Sequence, residues 1–254
     1  MASDAGAFDQ WYSDMGRSAL RAQIVGRALG LPLGVDSSSL LPWTGLAEVV
    51  AALAPAPGRL VVDLGCGRGG YGLEAARRTG ARLIGVDFSA VAVAAAARSA
   101  GQFGLGGRVG FCLGNLTGTG LRSGSADAVM CIDAIQFADP PLAGLRECRR
   151  ILGAGGRLAV TCWEPVGPPD ERLPARLRRV DLARDLAAAG FESIEVLDKS
   201  AWRDDERALW ESALRSGAAR DPAIRSLQQE ATRVLGWFDS ARRVSGTATA
   251  PQLH

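Results

Sequence analysis

Histidine and lysine are nearly missing from this sequence, and its cysteines are scattered. The 254 residues include one histidine, His254, and one lysine, Lys199. With its only histidine at the last position, the chain cannot build a Ser-His-Asp or Cys-His catalytic group or a histidine-based metal site. The five cysteines form no C-x-x-C pair, so we expect no disulfide framework, no metal site and reduced thiols in a cytoplasm.

Long apolar runs and a strong net charge are also missing. No run approaches the roughly 18 apolar residues that a membrane span needs, and the acidic, polar first residues do not resemble a signal peptide. The net charge is only +2 at pH 7, so global electrostatics give no reason to expect nucleic acid or a membrane surface as a partner. We therefore expect a cytoplasmic globular protein, and a homodimer is compatible with this composition.

Short apolar runs alternate with helical segments over most of the chain. Seven strands are predicted, at 59–63, 82–87, 109–113, 128–132, 157–163, 193–197 and 243–248. The first five are continuous and rich in β-branched residues, which is typical of strands buried on both faces of a parallel sheet. The regular β-α alternation predicts an α/β fold with a doubly wound sheet.

Two regions interrupt this alternation. Helical patterns precede the first strand within residues 1–55, and two further helices are predicted within 204–238. We therefore expect one domain over 1–254, with a Rossmann-like core at 56–203 and the last strand and tail at 239–254. The N-terminal helices and the helical insertion are hypothesised to form a cap over the strand ends.

The strongest local signal is DLGCGRGG at 63–70, the turn between the first predicted strand and the next helix. Its glycines allow a tight turn and a close approach of backbone N–H groups to a ligand. Gly65 and Gly67 begin a match to the dinucleotide fingerprint G-x-G-x-x-G, and Asp87 follows about 20 residues later, where a ribose partner of NAD would lie. Asp63 argues against that interpretation, because its carboxylate would repel a pyrophosphate but attract the sulfonium and ammonium groups of S-adenosylmethionine (SAM).

The glycine turn and four later segments together resemble the class I, Rossmann-like SAM-dependent methyltransferases of the small-molecule and natural-product type. The matching segments are 63–70, 85–89, 113–116, 126–137 and 152–158. The resemblance implies a mostly parallel sheet of seven strands, with an antiparallel seventh strand between the fifth and the sixth. It also implies SAM as the methyl donor, S-adenosylhomocysteine as its product and a small molecule as the acceptor.

The resemblance also implies a set of cofactor-binding residues, namely Asp63, Gly65, Gly67, Asp87, Phe88, Asn115, Leu116 and Asp133. Asp87 would accept the ribose hydroxyl groups. Asn115 stands where the family usually has Asp, and its carbonyl oxygen can still meet the adenine amino group. A turn role for Asn115 and a loop-capping role for Asp133 stay open.

Candidate acceptor-binding residues are Trp11, Gln136 and Trp163, and we expect a partly apolar or aromatic acceptor. Tyr12 and Glu164 are the candidates for a general base, which is optional because SAM is already an activated donor. Core packing of Trp11 and Tyr12, loop capping by Gln136 and simple solvation of Glu164 remain alternatives. Whether carbon, nitrogen or oxygen is methylated stays open.

Three other functions remain open at this point. The glycine spacing also fits an NAD(P)-dependent oxidoreductase, although no histidine is available for proton transfer. A non-methylating cyclase or binding protein could keep the same fold. A nucleic-acid methyltransferase is less favoured, because the sequence DPPL at 139–142 lacks the aromatic residue of the corresponding motif and lies where Asp139 is predicted to cap a helix.

Overall fold

The computed structural model describes residues 5–15, 18–167, 170–217 and 220–252, so His254 lies outside the described residues. Seven strands occur in this part of the chain: β1 (Leu60–Leu64), β2 (Arg82–Asp87), β3 (Val109–Leu113), β4 (Ala126–Ile132), β5 (Leu152–Pro165), β6 (Glu192–Asp198) and β7 (Ala241–Thr249). They form one sheet in the order β3-β2-β1-β4-β5-β7-β6. Only β7 runs antiparallel to its neighbours, so the predicted doubly wound, mostly parallel α/β sheet is confirmed.

Helices connect these strands and precede the first of them. The α-helices of the described residues are α1 (Ala5–Met15), α2 (Ala19–Leu29), α3 (Trp43–Leu53), α4 (Gly70–Thr79), α5 (Ala90–Ala100), α6 (Pro141–Ile151), α7 (Leu182–Ala188), α8 (Ser200–Arg215) and α9 (Pro222–Leu235). The prediction that Asp139 caps this helix is wrong. A cap at Asp139 would require the helix to begin at Pro140, but α6 begins at Pro141. Pro140 is the residue before the helix, and the Asp139 carboxylate pairs with Arg179 instead.

Apolar clusters cover both faces of the sheet. Val62 and Leu64 of β1 belong to one cluster, and Val61 belongs to the other because side chains alternate along a strand. β3 does not fit the expectation of burial on both faces, since it lies at the edge of the sheet and its residues are half-buried or exposed. Within the predicted N-terminal cap, α3 packs against the sheet, with Leu46 and Val49 in the second cluster.

A third apolar cluster joins α2, α8 and α9 above the end of β5. Val25 of α2, Trp210 of α8 and Leu227 of α9 pack together with Trp163, near the end of β5. Helices α2, α8 and α9, which interrupt the β-α alternation, therefore come together near the end of β5. Within the described residues, no helix is both long enough and apolar enough to cross a bilayer.

Candidate active site

A cavity of about 500 Å³ lies at the carboxyl ends of β1, β2 and β4. Parallel strands bring the loops that follow them to one edge of the sheet, which is where such folds bind ligands. Of the residues predicted from the sequence, those that line the cavity are Trp11, Tyr12, Asp63, Gly65, Asp87, Phe88, Asn115, Leu116, Asp133, Gln136 and Trp163. Gly67 and Glu164 are not in its wall.

The glycine turn after β1 needs glycine at two positions. Gly65 has φ of 77° and Gly67 has φ of 50°, a region that other L-residues enter at a cost. A Cβ at Gly65 would lie 2.4 Å from the Cβ of Ala134, and a Cβ at Gly67 would lie 2.3 Å from Ser38 Oγ. The turn is therefore packed closely between the loop after β4 and a serine loop that precedes α3.

Asp63, near the end of β1, is a buried carboxylate in the cavity wall. Its side chain is only 3% exposed. Burial, reinforced by the nearby charge of Asp87, raises the pKa of Asp63 to about 7. The Gly72 backbone N–H donates to this carboxylate, and within the described ranges neither acid forms an ion pair with a lysine or an arginine. This end of the cavity is thus prepared for a positively charged ligand, because a buried negative charge without a counterion is costly.

Asp87, at the end of β2, holds the glycine turn in place. Gly67 N donates to Asp87 Oδ2 at 2.8 Å, and Ser89 N donates to Oδ1 at 3.0 Å. Burial raises the pKa of Asp87, and these backbone N–H groups oppose that rise. Gly67 therefore supports the site through Asp87 without itself lining the cavity.

Asn115 lies in a tight turn after β3. Its Oδ1 accepts hydrogen bonds from Thr117 N and Thr117 Oγ1, both at 2.9 Å. The side chain is exposed, lines the cavity and sits beside Leu116. These two hydrogen bonds are those expected of a turn residue. The Asn115 side-chain nitrogen, Nδ2, stays available to a ligand.

Asp133 follows β4 in a left-handed conformation, with φ of 52°. Such strain in a non-glycine residue persists only where its surroundings hold it. Thr161 Oγ1 donates to Asp133 Oδ1 at 2.8 Å, Ser39 Oγ donates to Oδ2 at 2.8 Å, and the Arg243 guanidinium pairs with the carboxylate at 3.0 Å. Three separate parts of the chain therefore hold this carboxylate in the cavity wall.

Gln136 depends on Asp133 for its orientation. Gln136 Nε2 donates to the Asp133 carbonyl oxygen at 2.9 Å. The residue is 6% exposed, and its Oε1 finds no hydrogen-bond partner among the described residues. An unsatisfied buried acceptor in a cavity wall is a ready partner for a ligand that donates a hydrogen bond.

Arg243 and Glu206 extend this polar network toward the insertion. Arg243, in β7, is 1% exposed and its Nη1 donates to Glu206 Oε2 at 3.1 Å. Trp210 Nε1 donates to Glu206 Oε1 at 3.1 Å. Burial raises the pKa of Glu206 to about 7, with Arg243 opposing and Asp133 reinforcing the rise. One guanidinium is thus shared by a buried carboxylate, Glu206, and a partly buried one, Asp133.

Indole rings form much of the remaining wall. Trp163, Trp210 and Trp237 all line the cavity, and the rings of Trp163 and Trp237 meet edge to face at 5.7 Å. Leu177 and Val234 complete this side. The half of the cavity away from the glycine turn therefore combines an aromatic and apolar surface with four charged side chains, Arg176, Glu206, Glu230 and Arg243.

Helix α1 covers the cavity mouth through Phe8. The Phe8 ring contacts Phe88 at 5.1 Å and Phe137 at 5.6 Å, both edge to face. Trp11 and Tyr12 of the same helix also line the cavity. These aromatic contacts attach the N-terminal helix to the loops after β2 and β4.

The two candidates for a general base differ in position. Tyr12 lies at the cavity, and burial together with the Asp87 charge raises its pKa well above the usual range, so it keeps its proton at neutral pH. Glu164 lies away from the cavity: it accepts from Leu182 N at the start of α7 and pairs with Arg242 at 2.9 Å. The structure therefore does not bring Glu164 to the reacting region.

Several cavity residues were not identified from the sequence: Phe8, Ser38, Ser39, Glu206, Glu230 and Arg243. One signal was available for Glu206. It shares a helical stripe with Trp202, Trp210 and Ala213, all buried, so its spacing places an acid on the apolar face of α8. The described residues contain no cluster of three or more His, Cys, Asp or Glu side chains that could hold a metal ion.

Residues 62–160 match the family profile described as a methyltransferase domain. Sterol 24-C-methyltransferase of Eremothecium gossypii is 31% identical over 170 residues, which cover 60% of this chain and 45% of that protein. Nocamycin O-methyltransferase of Saccharothrix syringae is 36% identical over 121 residues, covering 46% of this chain and 42% of that protein. The chain thus spans less than half the length of these two relatives.

The fold also resembles that of solved structures. The crystal structure of the (4+2)-cyclase SpnF superposes with a TM-score of 0.78 at 24% identity, covering 100% of this chain and 98% of the other. At that level of identity the likeness concerns the fold. The relatives similar in sequence do not favour the oxidoreductase alternative.

Proposed function

We propose, from the premise that this chain belongs to the class I SAM-dependent methyltransferase family, that it transfers a methyl group from SAM to a small-molecule acceptor. The acceptor is partly apolar or aromatic, and neither a nucleic acid nor a membrane surface. The protein acts in the cytoplasm, and a homodimer is compatible with the fold. Helices α1, α2, α8 and α9 serve as the cap over the reacting groups.

The observation that carries this proposal is the buried carboxylate of Asp63 beside the glycine turn. Asp63 and Asp87 line the same cavity, and burial raises the pKa of both. SAM carries an ammonium and a sulfonium group, which this end would attract. The pyrophosphate of a dinucleotide would add negative charge to two buried acids and be repelled.

The remaining cofactor roles follow the loops in order. Asp87 accepts the ribose hydroxyl groups while it holds the glycine turn. Asn115 meets the adenine amino group after its side chain turns from Thr117, and Phe88 and Leu116 contact the adenosyl part. Asp133 faces the part of the cavity between the donor and the indole side.

The acceptor occupies the indole-lined half of the cavity. Trp163 supplies an apolar surface, Trp11 covers the opposite side, and the unpartnered Oε1 of Gln136 accepts a hydrogen bond from the acceptor. This arrangement favours an acceptor with an aromatic or aliphatic body and one polar group that donates a hydrogen bond.

The chain's own contribution to catalysis is orientation and exclusion of water. SAM supplies an activated methyl group when it is bound. Holding the acceptor atom in line behind that methyl can lower the activation free energy by about 7–11 kcal/mol. Helix α1 and the insertion helices keep water out, and Tyr12, which holds its proton, acts as a hydrogen-bond donor more readily than as a base.

Calorimetric titration with SAM tests the Asp63 assignment. Asp63→Asn keeps the shape of the side chain and removes its charge, so we expect at least tenfold weaker SAM binding. Asp127→Asn is the matched control, because Asp127 lies at the opposite end of the sheet, where it accepts from Leu60 N at 2.8 Å. Equal SAM affinity in wild type and Asp63→Asn would remove the basis of the proposal.

Methyl transfer itself is tested with methyl-labelled SAM and a panel of aromatic and aliphatic acceptors that carry hydroxyl or amino groups. Label in an extracted product, together with S-adenosylhomocysteine, supports the methyltransferase. Tight SAM binding without transfer to any of these acceptors favours a non-methylating cyclase or binding protein of the same fold.

A further inference from the structure

Three charged side chains form a closed group in the wall of the cavity. Arg243 of β7 pairs with Asp133 at 3.0 Å and with Glu206 of α8 at 3.1 Å. Arg243 and Glu206 are almost completely buried, and all three residues line the cavity. Two carboxylates and one guanidinium leave one negative charge in excess.

That excess charge is not relieved by the other groups around Glu206. Trp210, on the same helix, donates a hydrogen bond to Glu206. Glu230 of α9 adds a negative charge nearby, but Arg21, Arg176 and Arg233 offset that charge, so the excess at Glu206 comes from the pair with Asp133. Burial raises the pKa of Glu206 to about 7. Without a ligand, the two carboxylates share the charge of one guanidinium. Glu206 is then protonated in about half of the molecules at pH 7.

A positive ligand charge in this cavity would take the place of that proton. Asp133 follows β4 directly before Ala134, the residue that packs against Gly65 of the glycine turn. The group therefore lies between the end of the cavity assigned to the donor and the indole-lined end assigned to the acceptor. This inference rests on the proposed function, because the methyl group on the sulfonium must face an acceptor held in the indole-lined half.

We propose that Glu206, held by Arg243 beside Asp133, distinguishes the sulfonium of SAM from the neutral sulfur of S-adenosylhomocysteine and releases its proton to solvent when the sulfonium is bound. The released proton goes to the buffer, and no bond of the ligand changes. After methyl transfer the sulfur is neutral, the negative charge is again in excess, and Glu206 takes up a proton. Product binding thereby loses an attraction that donor binding has.

The size of the effect follows from the charges. A unit charge about 6 Å from a carboxylate, at an effective dielectric constant of about 20, lowers the carboxylate pKa by about two units. A fall from about 7 to about 5 releases about 0.8 proton near pH 6 and about 0.5 proton at pH 7. SAM affinity then rises from pH 5 to pH 7 and levels off above, and at pH 7 it exceeds that of a permanently neutral side chain by about 50-fold.

Calorimetry with SAM and with S-adenosylhomocysteine, each in two buffers of different ionisation enthalpy, measures the protons released. Both ligands carry the ammonium group that Asp63 would meet, so the difference between them isolates the sulfonium. Glu206→Gln is the test variant, and Asp205→Asn on the same helix is the matched control. Protons exchanged by the ligand's own amino group cancel between wild type and variant.

Near pH 6 we expect wild type and Asp205→Asn to release about 0.8 proton more with SAM than with S-adenosylhomocysteine. In Glu206→Gln this difference should vanish, and SAM should bind about 50-fold more weakly at pH 7. S-adenosylhomocysteine should bind Glu206→Gln within about twofold of its affinity for wild type, which also shows that the variant is folded. Equal proton release with both ligands in wild type, or an unchanged difference in Glu206→Gln, overturns this inference and leaves the proposed function standing. Failure of both ligands to bind wild type refutes the proposed function instead.

Discussion

Removing the charge of Asp63 should stabilise the ligand-free protein while it weakens SAM binding. In the folded protein the pKa of Asp63 is about 7, against an ordinary value of 3.8. A carboxyl group with a raised pKa binds its proton more tightly in the folded chain than in the unfolded chain. Its contribution to the free energy of unfolding is therefore lost as pH rises from about 4 to about 7, and stays low above that.

The magnitude comes directly from this shift. A difference of about three pKa units corresponds to about 4 kcal/mol. Asparagine carries no charge at any of these pH values, so Asp63→Asn should recover about 2–4 kcal/mol at pH 8. For a chain of this size that is a rise in Tm of roughly 5–15 °C. At pH 4 the gain should disappear, because Asp63 is then protonated in the folded protein and about half protonated in the unfolded chain.

Thermal unfolding of wild type, Asp63→Asn and Asp127→Asn at pH 4, 6 and 8 measures the effect. The Asp127 control should lose a little stability, since this exposed carboxylate accepts hydrogen bonds from Leu60 N and Arg59 Nη1. A stability gain for Asp63→Asn that does not depend on pH, or no gain at pH 8, would show that the Asp63 charge does not destabilise the ligand-free protein.

Three further changes have definite expected outcomes. Gly65→Ala should lower the free energy of unfolding by about 2–5 kcal/mol, and Gly58→Ala by about 1–2 kcal/mol. Both glycines have φ of 77°, but only at Gly65 would a Cβ meet a neighbouring side chain. Equal losses of stability in urea unfolding would contradict the close packing of the glycine turn. Glu147→Gln should lower the free energy of unfolding by about 2 kcal/mol at pH 7, a value reduced for solvent screening of Arg150, and by little at pH 2. Arg150 lowers the pKa of Glu147 to about 2, so the stabilisation by the Glu147 charge is lost as pH falls from about 4.5 to about 2. Parallel acid-unfolding curves of the variant and wild type would refute this. Glu164→Gln should keep wild-type turnover in the labelled-SAM assay, and a loss of kcat at unchanged SAM affinity would return Glu164 to the list of bases.

Local sequence was enough to predict the β1–glycine turn–α4 unit and the positions of Asp63 and Asp87. These residues lie at strand ends within one short stretch of chain, and the parallel sheet brings the strand ends together whatever the distant residues are. The alternation of short apolar runs and helices likewise predicted the doubly wound sheet. The boundaries were less well predicted: β5 begins at Leu152, five residues before the predicted start at 157.

Strand alternation explains why Trp163 and Glu164 could not both face the cavity. Successive side chains of a strand point to opposite faces of the sheet. In the pairing of β5 with β7, Trp163 lies opposite Arg243 on the cavity side, and Glu164 lies opposite Arg242. An analysis of β5 by alternate residues would have separated the two.

The acceptor side could not be predicted, because its contacts join distant parts of the chain. Ser39 reaches Asp133 across 94 residues, and Arg243 reaches it across 110 residues. No periodicity within a single element specifies such pairs. Only Glu206 could have been identified from local sequence, because it is an acidic residue on the apolar face of α8.

The central claim is that the cavity beside the glycine turn receives a cationic amino-acid nucleoside and not a dinucleotide. Parallel calorimetric titrations of the wild-type protein with SAM and with NADH, in one buffer at pH 7.5, test it most directly. We expect saturable SAM binding with one site per chain and no measurable heat from NADH. Saturable binding of NADH, with SAM failing to bind or to compete, would contradict the account.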